Sequence, residues 1–228
     1  MAQFDEYRTT YDAELSAATG FIQPDHTVFA ESKANRIAEA AERHLGDVSR
    51  VVALDVGCGA GLVDSFLVSR VGELVGVDVS EGILKEAARR NPSVRYCSYP
   101  GGELPFDDAS FDLVFATAVL HHVHGGDRPA FLRELRRVAR PEGLIVVVEH
   151  NPLNPFSRLV VRRCVFDRDV ALLRPKEVGA LFEAAGIRLA ERRFITFFPW
   201  RGRLFDRAER RLGSLPLGAQ YLVAGLAP

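Results

Sequence analysis

Five residues carry the sharpest chemical signal in the chain: Gly57, Gly59 and Gly61, with Asp55 just before them and Asp78 after. An apolar run at 51–56 breaks into a glycine-rich turn, and a second apolar run at 74–79 contains Asp78, seventeen residues beyond Gly61. Glycines in such a turn let backbone come close to a ligand, and a carboxylate on the next strand can hold two ribose hydroxyls. This is the plan of a nucleoside-binding βαβ unit. The spacing disfavours a dinucleotide, because a G-x-G-x-x-G pattern would put its third glycine where Leu62 stands. Asp55 would repel a pyrophosphate but tolerate a cationic ligand.

Histidines supply the second set of candidates. His121, His122, His124 and His150 fall at the expected ends of the fourth and fifth strands. With an unperturbed pKa near ~6.5, a histidine there can take a proton from a hydroxyl. His122 is the first candidate base and His150 the second. Neither carboxylate nor cysteine stands at ligand spacing with them, and Cys58, Cys97 and Cys164 are not spaced like metal ligands, so no metal site is expected.

These groups need a scaffold. Apolar runs predict strands near 51–56, 74–79, 94–98, 111–116, 143–149, 187–195 and 220–226. Helical faces lie between them: Ala34, Ile37, Ala38, Ala41 and Leu45; then Val63, Phe66 and Leu67; Ile83, Leu84 and Ala87 behind a Ser80 cap; and Phe131, Leu132, Leu135 and Val138. A last helix opens at Pro175 and stops at Gly186. Strands alternating with helices imply an α/β, Rossmann-like three-layer sandwich with a mostly parallel sheet, its ligands at the carboxyl ends of the strands. Two segments stand outside the series and are candidate caps: residues 1–30, with Phe4, Tyr7, Tyr11, Phe21 and Phe29, and residues 151–174, opening Asn151-Pro152-Leu153-Asn154-Pro155. The expected division is therefore cap 1–30, cofactor-binding core 31–150, cap insertion 151–174 and sheet completion 175–228.

Composition bounds the function. The 228 residues, 47% hydrophobic and 26% charged, suit one soluble α/β domain with a core of useful size. An acidic, polar N-terminus and the lack of a long apolar run point away from a signal peptide or membrane span, and three sparse cysteines point to a reducing cytoplasm. The formal net charge of −1 conceals an asymmetry: residues 1–150 carry 15 Lys/Arg against 23 Asp/Glu, and residues 151–211 carry 14 against 7. A basic region beside a ligand site favours anionic partners. Within it, Leu204, Phe205, Ala208 and Leu212 fall on one arc of a predicted helix, and Arg203, Arg207, Arg210 and Arg211 on another. Such a helix could lie on an anionic membrane surface or meet a phosphate-bearing or lipid-linked acceptor.

Four motifs in order make residues 29–150 resemble a class I S-adenosylmethionine-dependent methyltransferase of the small-molecule, quinone-biosynthesis-like group. They are Leu54-Asp55-Val56-Gly57-Cys58-Gly59-Ala60-Gly61; Gly76-Val77-Asp78-Val79-Ser80; Leu104-Pro105-Phe106-Asp107-Asp108-Ala109-Ser110-Phe111-Asp112-Leu113-Val114; and Arg133-Glu134-Leu135-Arg136-Arg137-Val138-Ala139-Arg140-Pro141-Glu142-Gly143. The resemblance implies a seven-stranded sheet with an antiparallel last strand and S-adenosylmethionine as cofactor, leaving as S-adenosylhomocysteine. It implies that Gly57, Gly59 and Gly61 lie under the methionine part, Asp78 binds the ribose, Val79 and Ile83 pack on the adenine, Asp55 favours the cationic end, and Ala116 lies at the cofactor. Two positions depart from the pattern. Pro100 replaces an aspartate that would accept from the adenine amino group, leaving the amides of Gly101 and Gly102 as alternatives, and Glu142 replaces a turn glycine.

The expected reaction is O-methylation of a small metabolite, or of a glycan-like or anionic acceptor. Ala116-Thr117-Ala118-Val119-Leu120-His121-His122 stands where many base-amino and glutamine methylases carry Asn/Asp-Pro-Pro-aromatic, and no nucleic-acid module is present. The competing readings are a cofactor-binding partner protein without catalysis and a nicotinamide-dependent reductase.

Overall fold

The computed structural model describes residues 11–167 and 170–228. Its strands are β1 (Val52–Val56), β2 (Glu73–Asp78), β3 (Arg95–Ser98), β4 (Phe111–Thr117), β5 (Ala139–His150), β6 (Arg188–Ile195) and β7 (Gln220–Leu226). They form one sheet in the order β3-β2-β1-β4-β5-β7-β6. β1, β2, β3, β4 and β5 pair in parallel, while β7 runs antiparallel to both β5 and β6. A Rossmann-like sheet with an antiparallel last strand is thus what the chain forms.

The helices are α1 (Tyr11–Thr19), α2 (Thr27–Leu45), α3 (Asp64–Leu67), α4 (Glu81–Arg90), α5 (Arg128–Val138), α6 (Pro155–Arg163), α7 (Pro175–Ala184) and α8 (Arg203–Leu212). Central strands must be apolar on both faces to sit between helical layers, and Leu144 to Val148 of β5 are all fully buried. Strand alternation sends Leu54, Val114, Ile145 and Val147 into one core with α5 and α7. Ala53, Leu113, Phe115 and Val146 go into the other with α2 and α3.

Several motif residues hold the scaffold rather than a ligand. Arg137 of α5 donates to the carbonyls of Leu104 and Phe106 at 3.0 and 2.8 Å, and Glu134 accepts from Leu104 N at 3.0 Å. The Leu104-Pro105-Phe106 loop is thereby clamped to α5. Asp112 accepts from Val52 N at 2.9 Å and pairs with Arg140 at 2.7 Å, tying the start of β1 to β4 and β5. Glu142, expected in a turn, is an exposed residue near the start of β5 at φ +60°, paired with Arg188 at 2.7 Å.

Phe4 and Tyr7 lie outside the described residues. α2 begins at Thr27, inside the segment expected to precede the core, because Asp25 Oδ1 accepts from Thr27 N and Oγ1 and starts the helix. Ala18 and Leu15 of α1 pack with Cys164, Val165 and Phe166 of the 151–174 segment in a small separate apolar cluster. The amphipathic expectation for α8 holds in part: Phe205, Ala208 and Leu212 are half-buried and Arg203, Arg207, Arg210 and Arg211 exposed, but Leu204 is 76% exposed and the buried residue is Glu209. Glu209 Oε1 accepts from Phe197 N at 2.8 Å and Phe198 N at 3.4 Å, so backbone donors in need of a partner help set the docked face alongside Phe205, which packs on Phe198 and Trp200.

Candidate active site

The carboxyl ends of β1, β2, β4 and β5 open into a cavity of about 930 Å³, walled also by α1, α2 and α6. Its size lies in the range of small-molecule sites. The glycine turn forms one wall. Gly57 N and Cys58 N both donate to Val77 O, at 2.7 and 3.1 Å, which docks the turn on β2. Gly57, Gly59 and Gly61 sit at φ +77°, +54° and +68°, a region that side chains disfavour. A Cβ on Gly57 would meet Val119 Cγ2 at 2.5 Å.

Asp78 stands between the turn and α4. Its Oδ2 accepts from Gly59 N and its Oδ1 from Ser80 N, each at 2.9 Å, and it lines the cavity. Ser80 Oγ accepts from Ile83 N at 3.3 Å and so caps α4, delivering Ile83 to the wall beside the half-exposed Val79. Gly101 and Gly102 line the same end in left-handed conformation, with open space where a Cβ would stand.

Three residues expected at the ligand are displaced from the wall. Gly61 does not line the cavity; a Cβ there would meet Asn91 Nδ2 and Tyr96 Oη at 2.6 Å, so its glycine serves close packing against α4 and β3. Ala116 faces the core, and the next residues, Thr117, Ala118 and Val119, reach the cavity as β4 ends. Asp55 is fully buried behind the turn in contact with Asp64. Burial, and then the charge of Asp64, raise its pKa well above the usual carboxylate value. It is therefore not a surface carboxylate facing a cation.

The histidines gather at the other end. His121 is fully buried, with Nδ1 2.5 Å from Glu149 Oε2 and Nε2 3.3 Å from Asp167 Oδ1. His122 Nε2 lies 3.2 Å from the same Asp167 oxygen, and His150 Nε2 lies 4.0 Å from Asp167 Oδ2. His122, His150 and Asp167 line the cavity. His124 also reaches its rim, but its side chain is 86% exposed beside Asp127 and outside the cluster.

Charge in the cluster is strongly ordered. Burial opposes a proton on His121, yet Glu149 and Asp167 outweigh it and push its pKa up to about 10. Burial, with the His121 charge behind it, pushes His150 down to about 4. Asp167 stays below the usual carboxylate range despite its burial, because His121 and His122 hydrogen-bond to it.

Glu149, Asp167 and Lys33 were not among the residues the sequence singled out. Lys33 of α2 lines the cavity, and burial lowers its pKa against the pull of Asp55, Glu149 and Asp167. Glu149 directly precedes His150 and was legible as a strand-end carboxylate. Asp167 was not, since only the fold of α6 and the turn after it returns that residue to β4 and β5.

Residues 54–147 match the family model described as a methyltransferase domain. Over 143 residues the chain is 27% identical to an uncharacterized methyltransferase of Synechocystis, covering 61% of this chain and 68% of that protein. Over 108 residues it is 35% identical to the demethylmenaquinone methyltransferase of Beutenbergia cavernae, covering 46% of this chain and 44% of that one. The match thus spans under half the length of the demethylmenaquinone methyltransferases. Among solved structures, the complex between the Haloferax volcanii Trm112 methyltransferase activator and the putative methyltransferase contains a chain with TM-score 0.68 at 18% identity. That likeness covers 100% of this chain and 99% of the other. Residues 54–147 thus match a methyltransferase domain, and the likeness of fold to a methyltransferase structure extends over the whole chain.

Proposed function

We propose that the protein transfers the methyl group of S-adenosylmethionine to a hydroxyl of a small-molecule acceptor. The observation that carries this reading is one cavity with the glycine turn and Asp78 at one end and the His122–Asp167 pair at the other. The residues present fit the cofactor: positive-φ glycines leave room for its methionine part, a carboxylate suits ribose hydroxyls, and Val79 and Ile83 offer an apolar slot for adenine. Bound there, the cofactor supplies a carbon already activated by a sulfonium. The chain has then to align the acceptor at about 3–3.5 Å, exclude water and accept one proton.

His122 is the group for that proton. Asp167, held ionised, accepts from His122 Nε2 and so fixes the tautomer whose basic lone pair is on Nδ1. His150, kept neutral by burial, borders the same space. The segments around α1 and α6 act in this reading as caps that keep water from the acceptor. Asp55 contributes only the field of a buried pair.

The test combines calorimetry with S-adenosylhomocysteine and transfer from methyl-labelled S-adenosylmethionine to a panel of phenolic, sugar, phosphorylated and lipid-linked hydroxyl compounds. Binding, and a methyl mass gain on a hydroxyl acceptor, are expected. Absence of cofactor binding overturns the reading; binding without any transfer would favour a partner protein without catalysis, and NADH binding a reductase.

A second observation bears on the acceptor class. Trp200 and Leu204 are 56% and 76% exposed beside the exposed Arg203, Arg207 and Arg211. This arrangement supports an anionic or lipid-linked acceptor met at a membrane surface. Co-sedimentation with phosphatidylglycerol vesicles but not phosphatidylcholine vesicles, lost in Leu204→Glu, is the expected result.

A further inference from the structure

We infer that His121, His150 and Asp167 form a binding site for one divalent transition-metal ion, open toward the acceptor end of the cavity. The binding itself stands apart from the methyl-transfer reading; only the role given to the ion rests on it.

The donor atoms come from three separate places, the turn after β4, the end of β5 and the turn after α6, and converge. One ligand atom from each lies within 4.8 Å of the others. His121 Nε2 is 3.3 Å from Asp167 Oδ1, and His150 Nε2 is 4.0 Å from Asp167 Oδ2. A tetrahedral ion with bonds of ~2.0–2.1 Å separates its ligand atoms by about 3.3–3.4 Å. The first distance already has that value; the second is to the other carboxylate oxygen, so Asp167 would ligate through both oxygens or turn one of them toward both imidazoles as His150 moves in.

The surroundings are those of a ligand set. Glu149 Oε2 sits 2.5 Å from His121 Nδ1, and its other oxygen is fixed by Leu120 N at 2.7 Å. A carboxylate on Nδ1 holds the ring in the tautomer whose Nε2 lone pair points outward, the arrangement usual behind a metal-bound imidazole. With an ion bound, that lone pair would ligate it; without one, Nε2 carries a proton hydrogen-bonded to Asp167, which the ion would displace. On the far side, Ser157 Oγ is 3.4 Å from His150 Nδ1.

Two imidazoles and one carboxylate suit zinc, iron(II), cobalt(II) or manganese(II) better than calcium or magnesium, which prefer all-oxygen sets. Three protein ligands leave a position free for an exogenous oxygen, as in catalytic rather than structural sites. Since His150 and Asp167 line the cavity, that position opens on the acceptor. An acceptor hydroxyl bound there is more acidic.

The experiment is titration of chelator-treated, full-length protein with Co²⁺, followed by its d–d absorption and by calorimetry, alongside S-adenosylhomocysteine binding by the same metal-free sample. One equivalent of Co²⁺ with four- or five-coordinate absorption is expected. Asp167→Asn and His150→Gln should each weaken its binding by at least about tenfold, with S-adenosylhomocysteine affinity retained as proof of folding. Wild type that takes up no Co²⁺, Zn²⁺ or Mn²⁺ overturns the inference, as does unchanged Co²⁺ affinity in both folded variants. If the metal-free protein binds S-adenosylhomocysteine and transfers methyl groups at the full rate, the ion's catalytic role fails while the methyl-transfer reading stands. Loss of S-adenosylhomocysteine binding in all samples defeats that reading instead.

Discussion

Tyr96 donates its phenolic hydrogen to Asp64 Oδ2 at 2.8 Å, directly behind the glycine turn. Asn91 Nδ2 is 2.9 Å from the same phenol oxygen and donates to Gly61 O at 2.9 Å, so one polar chain runs from β3 through α4 to the turn. Asp55 closes the network against Asp64, and both carboxyls are fully buried.

The contribution of Asp64 to stability should therefore fall as pH rises between about 4 and 6, while His150, held down to about 4, acts in the opposite sense over the same window. Burial raises Asp64 to about 6, against hydrogen bonds from Tyr96 and Asp55 that lower it, and Asp55 is raised further. A carboxyl whose folded pKa lies above its unfolded value binds more protons when folded, so stability is lost as pH climbs from the unfolded pKa through the folded one. Asp64→Asn can still accept from Tyr96 and donate to Asp55 without needing that proton. It should raise the unfolding midpoint at pH 7.5 by about 2–4 °C, about 1 kcal/mol for a chain of this size, and flatten the fall between pH 4 and 6. A lower midpoint at pH 7.5 would mean that the pair is held ionised.

Asp78 has two duties that one substitution can separate. Asp78→Asn keeps a carbonyl for one of the two amides, Gly59 N or Ser80 N, but loses the charge offered to ribose hydroxyls. S-adenosylhomocysteine should bind more weakly by about 1.5–3 kcal/mol, the value of a hydrogen bond to a charged group. Calorimetry gives the affinity, and a melt of the same sample shows whether the turn survives. Equal affinities in the two proteins would remove Asp78 from the ribose.

Gly57 can be compared with Gly46, which has nearly the same positive φ of +82° but nothing within 4 Å of an added Cβ. Gly46→Ala meets backbone strain alone, about 1–3 kcal/mol, since its ψ of −117° lies outside the left-handed helical region. Gly57→Ala meets positive-φ strain and in addition Val119 Cγ2 at 2.5 Å. It should cost more stability than Gly46→Ala and lose S-adenosylhomocysteine binding, which Gly46→Ala keeps. Val119→Ala in the Gly57→Ala background should recover part of the difference in denaturant unfolding.

The order of β1, turn and β2 was legible because apolar runs and glycines are local signals, and Asp78 follows from their spacing. Which side of the turn each residue faces was not. Spacing placed Asp55 and Gly61 near the ligand, but the first lies behind the turn with Asp64 and the second packs on Tyr96 and Asn91. Ala116 was hard to place for a similar reason, since the pleat turns it into the core one residue before the cavity begins. The absence of a carboxylate near the histidines was inferred from sequence distance, and Asp167 approaches them only through tertiary structure. In α8 the apolar arc was legible except at Leu204, and the burial of Glu209 was not, because the Phe197 and Phe198 amides it serves come from outside the helix.

Removal of the His122 imidazole separates chemistry from cofactor binding. The His122–Asp167 pair and Asp78 line one cavity from different walls, after β4 and after α6 in one case and at the end of β2 in the other. His122→Ala should therefore leave S-adenosylhomocysteine affinity within about twofold, a difference under ~0.5 kcal/mol. Methyl transfer to a hydroxyl acceptor should fall by about 10²–10⁴ in kcat, the usual worth of a positioned base. Asp167→Asn leaves the imidazole but no longer fixes its tautomer, and should lower kcat with little change in cofactor affinity. If His122→Ala instead weakens S-adenosylhomocysteine and leaves kcat intact, the histidine shapes the cofactor wall and the proton leaves by another group, of which His150 on the same cavity is the next to substitute.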